Sequence, residues 1–290
     1  MKDKMEFARK IEAMAVRSLL YEVSATPKPG LVDRNNCGAH KDMDIFTFID
    51  SSSVLGETFY KCVLAGIEHR DSIETLLEVI RPIGVRGEER MFSITNDVNT
   101  HKGLLFSIGV LSAAMGYLYQ KKPDDSWSAD KACEQVKYMT KELVDKELKN
   151  KEFDRLLTYG ERLYVKYGIT GIRGEVASGF RTVRDHGLPL FRKLMESQKG
   201  SLNDRMVQVL IHLMAYSEDS NILGRHDLEM LRRVQSRAKR IIELGGIYSE
   251  GGADAIKEFD KWCIKNWVSP GGAADLLAVT IMLYFIEELK

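Results

Sequence analysis

The sequence predicts an all-α protein, a single large multi-helix domain spanning residues 1–290. Apolar residues recur every three or four positions in FARKIEAMAVRSLLYEV, SLNDRMVQVLIHLMAY and DLEMLRRVQSRAKRIIEL, the spacing that gives a helix an apolar face. Strand-like alternation is scarce, and no Asn-Gly or Asp-Gly pair separates two apolar runs in the way of a hairpin. No internal repeat or low-complexity linker divides the chain. One domain is therefore favoured over two.

Local signals mark some helix starts and exposed helices. Asp71 followed by Glu74 is typical of a capping box. Ser269 before Pro270 predicts an N-cap followed by proline at the first helical position. The polar segment at residues 121–155 could join two halves, but its opposite charges at helical spacing favour exposed helices.

One uncharged segment, residues 103–120, is about as long as the shortest membrane-spanning helices. Glycine and serine interrupt it, and no second span of similar length accompanies it. We therefore expect a buried helix in the core of an all-helical protein, and no membrane association.

Composition excludes several classes of function. The formal net charge of the 290 residues is zero, which gives no basic face for nucleic acid. The four cysteines show no Cys-x-x-Cys spacing, so neither a zinc ribbon nor a disulfide framework is predicted. The N-terminal residues carry charges throughout and lack the apolar region of a secretory signal. We expect a cytoplasmic protein with reduced thiols.

The first polar loop follows the first predicted helix and ends at Asp44. Two prolines flank Lys28 and present it on a stiffened turn, which Gly30 allows to reverse. His40, Asp42 and Asp44 then alternate, so in an extended loop their side chains point to one side. Such a cluster can hold a hard cation or a phosphate.

The second polar loop, residues 95–103, precedes a predicted helix. Asn99 or Thr100 can cap that helix, whose first turn contains His101 and Lys102. Free amides at a helix start attract anions, so the loop could cradle a diphosphate or triphosphate. The alternative is a solvated helix cap.

The third polar loop, residues 168–184, is rich in glycine and contains Arg173 and Glu175. The guanidinium geometry of Arg173 matches phosphate oxygens, and Glu175 could bind metal or accept a proton. A structural Arg–Glu pair is the alternative.

Two further polar loops lie near the C-terminus. Asp219, Asn221 and Arg225 offer two oxygen donors and one cation, and oxygen ligands suit magnesium. Asp275, about one turn inside a glycine-rich helix start, is interpreted as a residue that complements the helix dipole. The four histidines without partnered spacing are assigned to the surface or the core: His69, His186, His212 and His226.

The polar motifs together resemble those of the triphosphoribosyl-dephospho-coenzyme A synthase family. The resemblance spans almost the whole chain and is carried by PKPGLVD (27–33), GAHKDMD (38–44), NTHKG (99–103), GIRGE with SGF (171–180) and SPGGAADLLA (269–278). Several motifs in one order are far more specific than any one of them alone.

The resemblance implies an enzyme that joins the triphosphoribosyl group of ATP to the ribose 2′-hydroxyl of 3′-dephospho-CoA, releasing adenine. It further implies Mg²⁺ with the ATP, and a product that is the prosthetic-group precursor of citrate lyase or malonate decarboxylase. A separate transferase would attach that precursor to the acyl carrier protein. A homodimer is left open.

The chain departs from the family pattern in two places. The segment Thr95 to Val98 replaces a Thr-Gly-Gly that relatives commonly carry before Asn-Thr-His-Lys-Gly. Gly224 to Asp227 replaces a His-Arg-Gly-Gly, so the histidine is displaced and His226 receives no catalytic role.

Roles follow from glycosyl transfer, in which carboxylates stabilise positive charge on the ribose and move protons. The predicted catalytic residues are Glu175, Asp42 and His101. The predicted substrate- and phosphate-binding residues are Lys28, His40, Lys102, Arg173, Asn221 and Arg225. The predicted metal ligands are Asp42, Asp44 and Asp219. The alternatives are a magnesium-dependent hydrolase of nucleotide or ADP-ribosyl bonds and a helical nucleotide-binding or scaffold protein.

Overall fold

The computed structural model describes residues 2–121, 127–149 and 156–289, and these ranges contain helices and loops but no β-strand. The prediction of an all-α fold is confirmed. The N-terminal helices are α1 (Lys2–Ser24), α2 (Ile45–Glu68), α3 (Leu76–Ile94), α4 (Lys102–Lys121), α5 (Ala129–Met139) and α6 (Tyr159–Tyr167). The remaining helices are α7 (Gly171–Ala177), α8 (Leu188–Glu196), α9 (Leu202–Tyr216), α10 (Ser220–Arg225), α11 (Leu228–Glu243), α12 (Glu250–Lys265) and α13 (Gly271–Glu287).

Helix α4 lies in the hydrophobic core, as its uncharged sequence predicted. It is long and apolar enough to cross a membrane, but 72% of its apolar stretch is buried inside the protein. Glycines bring it into backbone contact with α2. A Cβ on Gly66 would lie 2.1 Å from the carbonyl oxygen of Ala113, and one on Gly116 would lie 2.1 Å from that of Val63. Larger residues at these two glycines would force the helices apart.

Helix α13 is the second core helix, and it packs against α1, α4, α8 and α9. Its residues from Leu276 to Leu283 are all buried, as expected for a helix that is apolar on every side. Its polar first turn lies at the end of the core, close to α10. The two core helices therefore both begin at polar, glycine-containing motifs, which positions those motifs at the site described below.

The first polar loop is organised around the buried carboxylate of Asp33. This carboxylate accepts hydrogen bonds from the Thr26 hydroxyl (2.6 Å) and from the backbone amides of Lys28 (3.0 Å), Asn35 (2.7 Å) and Asn36 (3.0 Å). The predicted reversal at Gly30 is present, with a φ of 73°. A Cβ there would lie 2.2 Å from the Val268 carbonyl oxygen, so only glycine fits. The same contact fixes the loop against the start of α13.

Two predicted helix starts are displaced in the structure. A single 3₁₀ turn at Ile73–Thr75 precedes α3 and carries no side-chain cap, so the capping box at Asp71 does not form in this described segment. Pro270, rather than Ser269, is the N-cap of α13. The Ser269 hydroxyl instead pairs with His40, a residue distant in sequence. Local patterns could not anticipate either tertiary arrangement.

The predicted exposed helices of the polar segment 121–155 are described only in part. Helix α5 and a short π-helical turn at Asp145–Lys149 belong to it, whereas residues 122–126 and 150–155 lie outside the described residues. In α5, Ser128 accepts a hydrogen bond from the Lys131 amide as N-cap. One face of α5 is buried, with Ala132 and Val136 completely inside.

Candidate active site

A half-open pocket of about 400 Å³ lies where α7, the end of α9, and the starts of α10 and α13 meet. Its volume is within the range of ordinary small-molecule sites. Five carboxylic side chains line it: Glu175, Asp185, Glu218, Asp219 and Asp275. The cationic or titratable nitrogen groups in its lining are those of Arg181 and His186. The pocket is therefore strongly acidic.

Asp219 joins the first turns of α10 and α13. Its Oδ1 accepts hydrogen bonds from the amides of Asn221 (2.9 Å) and Ile222 (3.2 Å), and its Oδ2 accepts one from Ala273 (2.9 Å). Gly272 leaves room for this carboxylate, because a Cβ there would lie 3.0 Å from it. Burial raises the pKa of Asp219 to about 6, against the lowering effect of these hydrogen bonds. Backbone amides thus occupy both oxygens of a residue predicted to bind metal.

Asp275 and His186 both line this pocket, although sequence analysis assigned neither of them a binding or catalytic role. Asp275 is the more enclosed by charge. It lies in the second turn of α13 and lines the pocket. A Cβ on Gly103 would lie 2.5 Å from Asp275 Oδ2, so the glycine of the NTHKG motif makes room for this carboxyl. None of the described residues donates a hydrogen bond to it. Burial, and then the nearby charges of Glu22 and Asp219, raise the pKa of Asp275 well above its ordinary value.

Lys28 forms an ion pair with Glu22 inside the protein. Both side chains are almost completely buried, and the Lys28 ammonium donates to Glu22 Oε1. Burial raises the pKa of Glu22, and Lys28 opposes that effect. Because one partner without the other would be an uncompensated buried charge, the pair is costly to break. Glu22 therefore compensates the charge of Lys28, which also acts on the neighbouring His101. The phosphate-binding role of Lys28 stays a prediction.

His101 is a buried, neutral imidazole. Thr100 donates a hydrogen bond to the Ser51 hydroxyl (2.8 Å), and that hydroxyl lies 2.7 Å from His101 Nδ1. Thr100, Ser51 and His101 thus form a hydrogen-bonded chain inside the protein. Nε2 is buried without a hydrogen-bond partner in the part of the chain that the structure describes. Burial and, less strongly, Lys28 lower the pKa of His101 to about 3, so this histidine is a neutral polar group that brings no positive charge to the site.

Lys102 and Arg173, both predicted to bind phosphate, engage glutamates outside the pocket. The Lys102 ammonium pairs with Glu88 at the surface, while Asn99 accepts from the Lys102 amide at 3.2 Å, the helix cap predicted for this loop. Arg173 Nε donates to Glu147 at 2.6 Å, and Arg81 contacts the other oxygen of the same carboxylate. The structural Arg–Glu pair considered from sequence is thus present, but its glutamate is Glu147 and not Glu175.

Glu175 faces the pocket and also supports the turn beyond α7. Its carboxylate accepts hydrogen bonds from the Thr182 amide (2.8 Å), the Thr182 hydroxyl (2.9 Å) and the Val183 amide (3.4 Å). Burial raises the pKa of Glu175, and these hydrogen bonds partly offset the increase. The predicted catalytic role stays a prediction, with the carboxylate in a position to serve it.

A second polar group surrounds the start of α13. His40 Nε2 lies 2.8 Å from the Ser269 hydroxyl, and the Arg225 guanidinium lies 3.5 Å from the Ala39 carbonyl oxygen. Burial and the charge of Arg225 lower the pKa of His40 to about 4. The Asn221 amide nitrogen would lie 2.7 Å from a Cβ on Gly271. Three predicted substrate-binding residues, His40, Asn221 and Arg225, are thus gathered at one helix start.

The residues predicted to bind magnesium do not form one cage. Asp42 is exposed and lies 3.8 Å from His40 Nδ1, whereas Asp44 caps α2 by accepting hydrogen bonds from the Thr47 amide and hydroxyl, each at 2.9 Å. Among the described residues, no three His, Cys, Asp or Glu side chains group as a metal site. Mg²⁺ is usually held by one or two carboxylates together with substrate phosphates. Asp42, beside His40, fits that donor set.

Comparison with known proteins gives a consistent result over nearly the whole chain. The model of the CitG family, ATP:dephospho-CoA triphosphoribosyl transferase, matches residues 8–290. The 2-(5''-triphosphoribosyl)-3'-dephosphocoenzyme-A synthase of Klebsiella pneumoniae is 40% identical over 277 residues, covering 95% of this chain and 90% of that protein. Probable synthases of the same name from Photobacterium profundum and Malonomonas rubra are 40% and 38% identical; they cover 96% and 97% of this chain, and 87% and 88% of their own.

No solved structure matches the chain. The family that these matches name is the one that the motifs of the sequence resemble. The chain belongs to the ATP:dephospho-CoA triphosphoribosyl transferase family.

Proposed function

We propose that this protein transfers the triphosphoribosyl group of ATP to the ribose 2′-hydroxyl of 3′-dephospho-CoA and releases adenine. The observation that carries the proposal is the near full-length similarity to synthases of that name. The geometry supports it, because two motifs of the family resemblance, NTHKG and SPGGAADLLA, meet where Gly103 makes room for Asp275.

The reaction breaks the bond between adenine N9 and ribose C1′ of ATP and forms a bond from the acceptor 2′-oxygen to that carbon. The bonding electrons leave with adenine, which gains a proton, and the attacking hydroxyl loses one. Positive charge builds on the ribose between these events, and a nearby carboxylate stabilises it. Glu175 and Asp219 line the pocket as candidates for this role.

The phosphates require a different environment, because a triphosphate is repelled by a wall of carboxylates. His40, Asn221 and Arg225 at the start of α13 offer donors without that repulsion. Magnesium, which accompanies ATP as substrate, screens the phosphate charge when bound. Asp42 is the protein carboxylate best placed beside this group to bind it.

The product would serve as the prosthetic-group precursor of a citrate lyase or malonate decarboxylase acyl carrier protein. A separate transferase would attach it there. The resemblance of the motifs to the family supports this assignment, and deletion of the gene in the native host distinguishes the two pathways by which carrier protein lacks its prosthetic group.

Incubation of the purified protein with ATP, Mg²⁺ and dephospho-CoA tests the proposed reaction. Chromatography with mass detection should reveal adenine together with a nucleotide that carries the triphosphoribosyl group on dephospho-CoA. Pyrophosphate or AMP as the product from ATP would contradict the proposal, since either would show attack at phosphorus and not at C1′.

A further inference from the structure

The acidic pocket also has an aromatic wall. The rings of His186 and Tyr216 are stacked, with centroids 4.0 Å apart and planes inclined by 3°. Both residues line the pocket, and Tyr216 is 44% exposed. The Lys239 ammonium, on an exposed side chain, also lies over the Tyr216 ring, 5.5 Å from its centroid. The part of the stacked pair that faces the pocket is a surface on which a flat ring can pack, and nucleobases use such surfaces irrespective of their identity.

The negative charge of the pocket favours binding of the adenine base of ATP over binding of its triphosphate. Glu175, Asp185 and Glu218 are carboxylic side chains of the lining that would repel phosphate oxygens. Adenine carries no negative charge, and its exocyclic amine donates hydrogen bonds that carboxylate oxygens accept. The base of ATP therefore fits this lining, and the triphosphate does not.

Adenine needs a proton in order to leave as a neutral base, and Asp275 is placed to donate it. Its carboxyl lines the pocket and accepts no hydrogen bond from the described residues. Gly103 provides the space that it occupies, and the nearby charge of Glu22 acts on it. A protonated carboxyl in this position can act as a general acid toward a leaving base.

We propose that this pocket is the adenine subsite, in which the base of ATP packs against the His186–Tyr216 pair and Asp275 donates the proton with which it leaves. This inference rests on the proposed transferase function. As the N9–C1′ bond breaks, its electron pair goes to adenine and the Asp275 proton is transferred to a ring nitrogen. The proton lost by the acceptor hydroxyl restores the carboxyl over the cycle, so no oxidant or other co-reactant is needed.

Binding measurements with Tyr216→Ala test the stacking surface, and Tyr138→Ala is the matched control. Tyr138 lies on α5 outside the pocket lining and is 48% exposed, close to the 44% of Tyr216. Tyr216→Ala should weaken ATP about tenfold, the scale on which aromatic stacking contributes to base binding. Ribose 5-triphosphate, which lacks the base, and dephospho-CoA should bind as before, and Tyr216→Phe should retain ATP affinity.

The same measurements can overturn the assignment. An equal loss of ribose 5-triphosphate affinity would show that the pocket binds phosphate. A loss confined to dephospho-CoA would assign the aromatic pair to the adenine of the other substrate. Unchanged ATP affinity would remove the stacking surface altogether. Because these are binding experiments, they test the pocket even if the protein fails to catalyse the proposed transfer.

Turnover of 7-methyl-ATP by Asp275→Asn tests the proton donor. The methylated purine already carries a positive charge and leaves as a neutral base, so it needs no acid. Asparagine has nearly the shape of a protonated aspartate, which favours correct folding. With ATP, Asp275→Asn should be slower by roughly 100- to 10,000-fold, the usual contribution of general acid catalysis. With 7-methyl-ATP it should approach the wild-type rate.

Equal losses with the two substrates would contradict the role of Asp275 as acid. A wild-type protein that makes no adduct from ATP would instead contradict the transferase function itself. The two failures are therefore distinguishable in one set of assays.

Discussion

The imidazole of His101 shows how burial decides what a motif residue can contribute. In the sequence it stands beside Lys102 at a helix start, where two cations would attract a triphosphate. In the structure its ring is enclosed between Ser51 and Phe48, and its pKa is lowered to about 3. His101 therefore adds no positive charge to this helix start, and Lys102 pairs with Glu88 at the surface.

The stability of the protein should depend on pH through His101. Its pKa in the folded state is about 3, against an ordinary value of 6.5, so the folded protein binds this proton less readily than the unfolded chain. The contribution of His101 to the free energy of unfolding is fully present above pH 6.5. It decreases as the pH falls from 6.5 toward 3, with a slope approaching about 1.4 kcal/mol per pH unit.

Urea unfolding of wild type and His101→Gln at pH 7, 6 and 5 measures this contribution. Because carboxyls with raised pKa, such as Asp219, act in the opposite direction, the informative quantity is the difference between the two proteins. The advantage of the wild type should shrink with acidification. A difference that is constant over this range would contradict a buried neutral histidine.

Gly103 offers a second test at the scale of one residue. A methyl group there would lie 2.5 Å from Asp275 Oδ2, so Gly103→Ala should displace the carboxyl. Because the clash is with the tip of one side chain that can rotate, we expect little change in stability and a lower rate of adenine release. Thermal unfolding and product chromatography check these two effects.

Gly84→Ala is the matched control, since Gly84 also lies inside a helix and a Cβ there meets no atom within 4 Å. It should stabilise the protein by up to about 1 kcal/mol because alanine favours helix. Equal rates of adenine release from the two alanine variants would contradict the close approach of Gly103 to Asp275.

At the scale of elements, helix starts carry most of the polar chemistry. Asp44 caps α2, Asp219 joins α10 to α13, and Asn99 caps α4. A carboxylate that accepts backbone amides is held in place, but fewer of its lone pairs stay available to a metal ion. Sequence alone does not distinguish the two roles, since both favour aspartate in a polar loop before an apolar segment.

Asp44→Ala and Asp42→Ala should separate these roles. Loss of the Asp44 cap should cost about 1 kcal/mol of stability without changing magnesium-dependent ATP binding, because the Asp44 side chain is engaged with Thr47. Asp42 is exposed and makes no cap, so its alanine variant should fold normally and bind ATP less tightly in magnesium. Denaturant unfolding compares the stabilities of the two variants. Calorimetric titration with ATP, with and without Mg²⁺, compares their binding. Reduced magnesium dependence in Asp44→Ala would support the metal role predicted from its sequence position.

At the scale of the whole molecule, sequence periodicity predicted the helical fold and the burial of α4, because both depend on patterns within one segment. The active-site partners depend on segments far apart in the chain. Asp275 meets Gly103, and Arg173 meets Glu147 in place of its near neighbour Glu175. Pattern and spacing could therefore identify the polar loops, but only the tertiary structure shows that the Asp275 carboxyl is left without a hydrogen-bonding partner among the described residues. The glycine that recurs in each motif was the one sequence signal that these loops approach each other closely.

The central claim is that this molecule couples loss of adenine to attack by the 2′-hydroxyl of dephospho-CoA. The most direct measurement follows adenine release from ATP with native dephospho-CoA and with an analogue in which hydrogen replaces that hydroxyl. The account predicts equal amounts of adenine and triphosphoribosyl adduct with the native acceptor, and loss of both with the analogue. Undiminished adenine release with the analogue would contradict it and identify a hydrolase that uses water as acceptor.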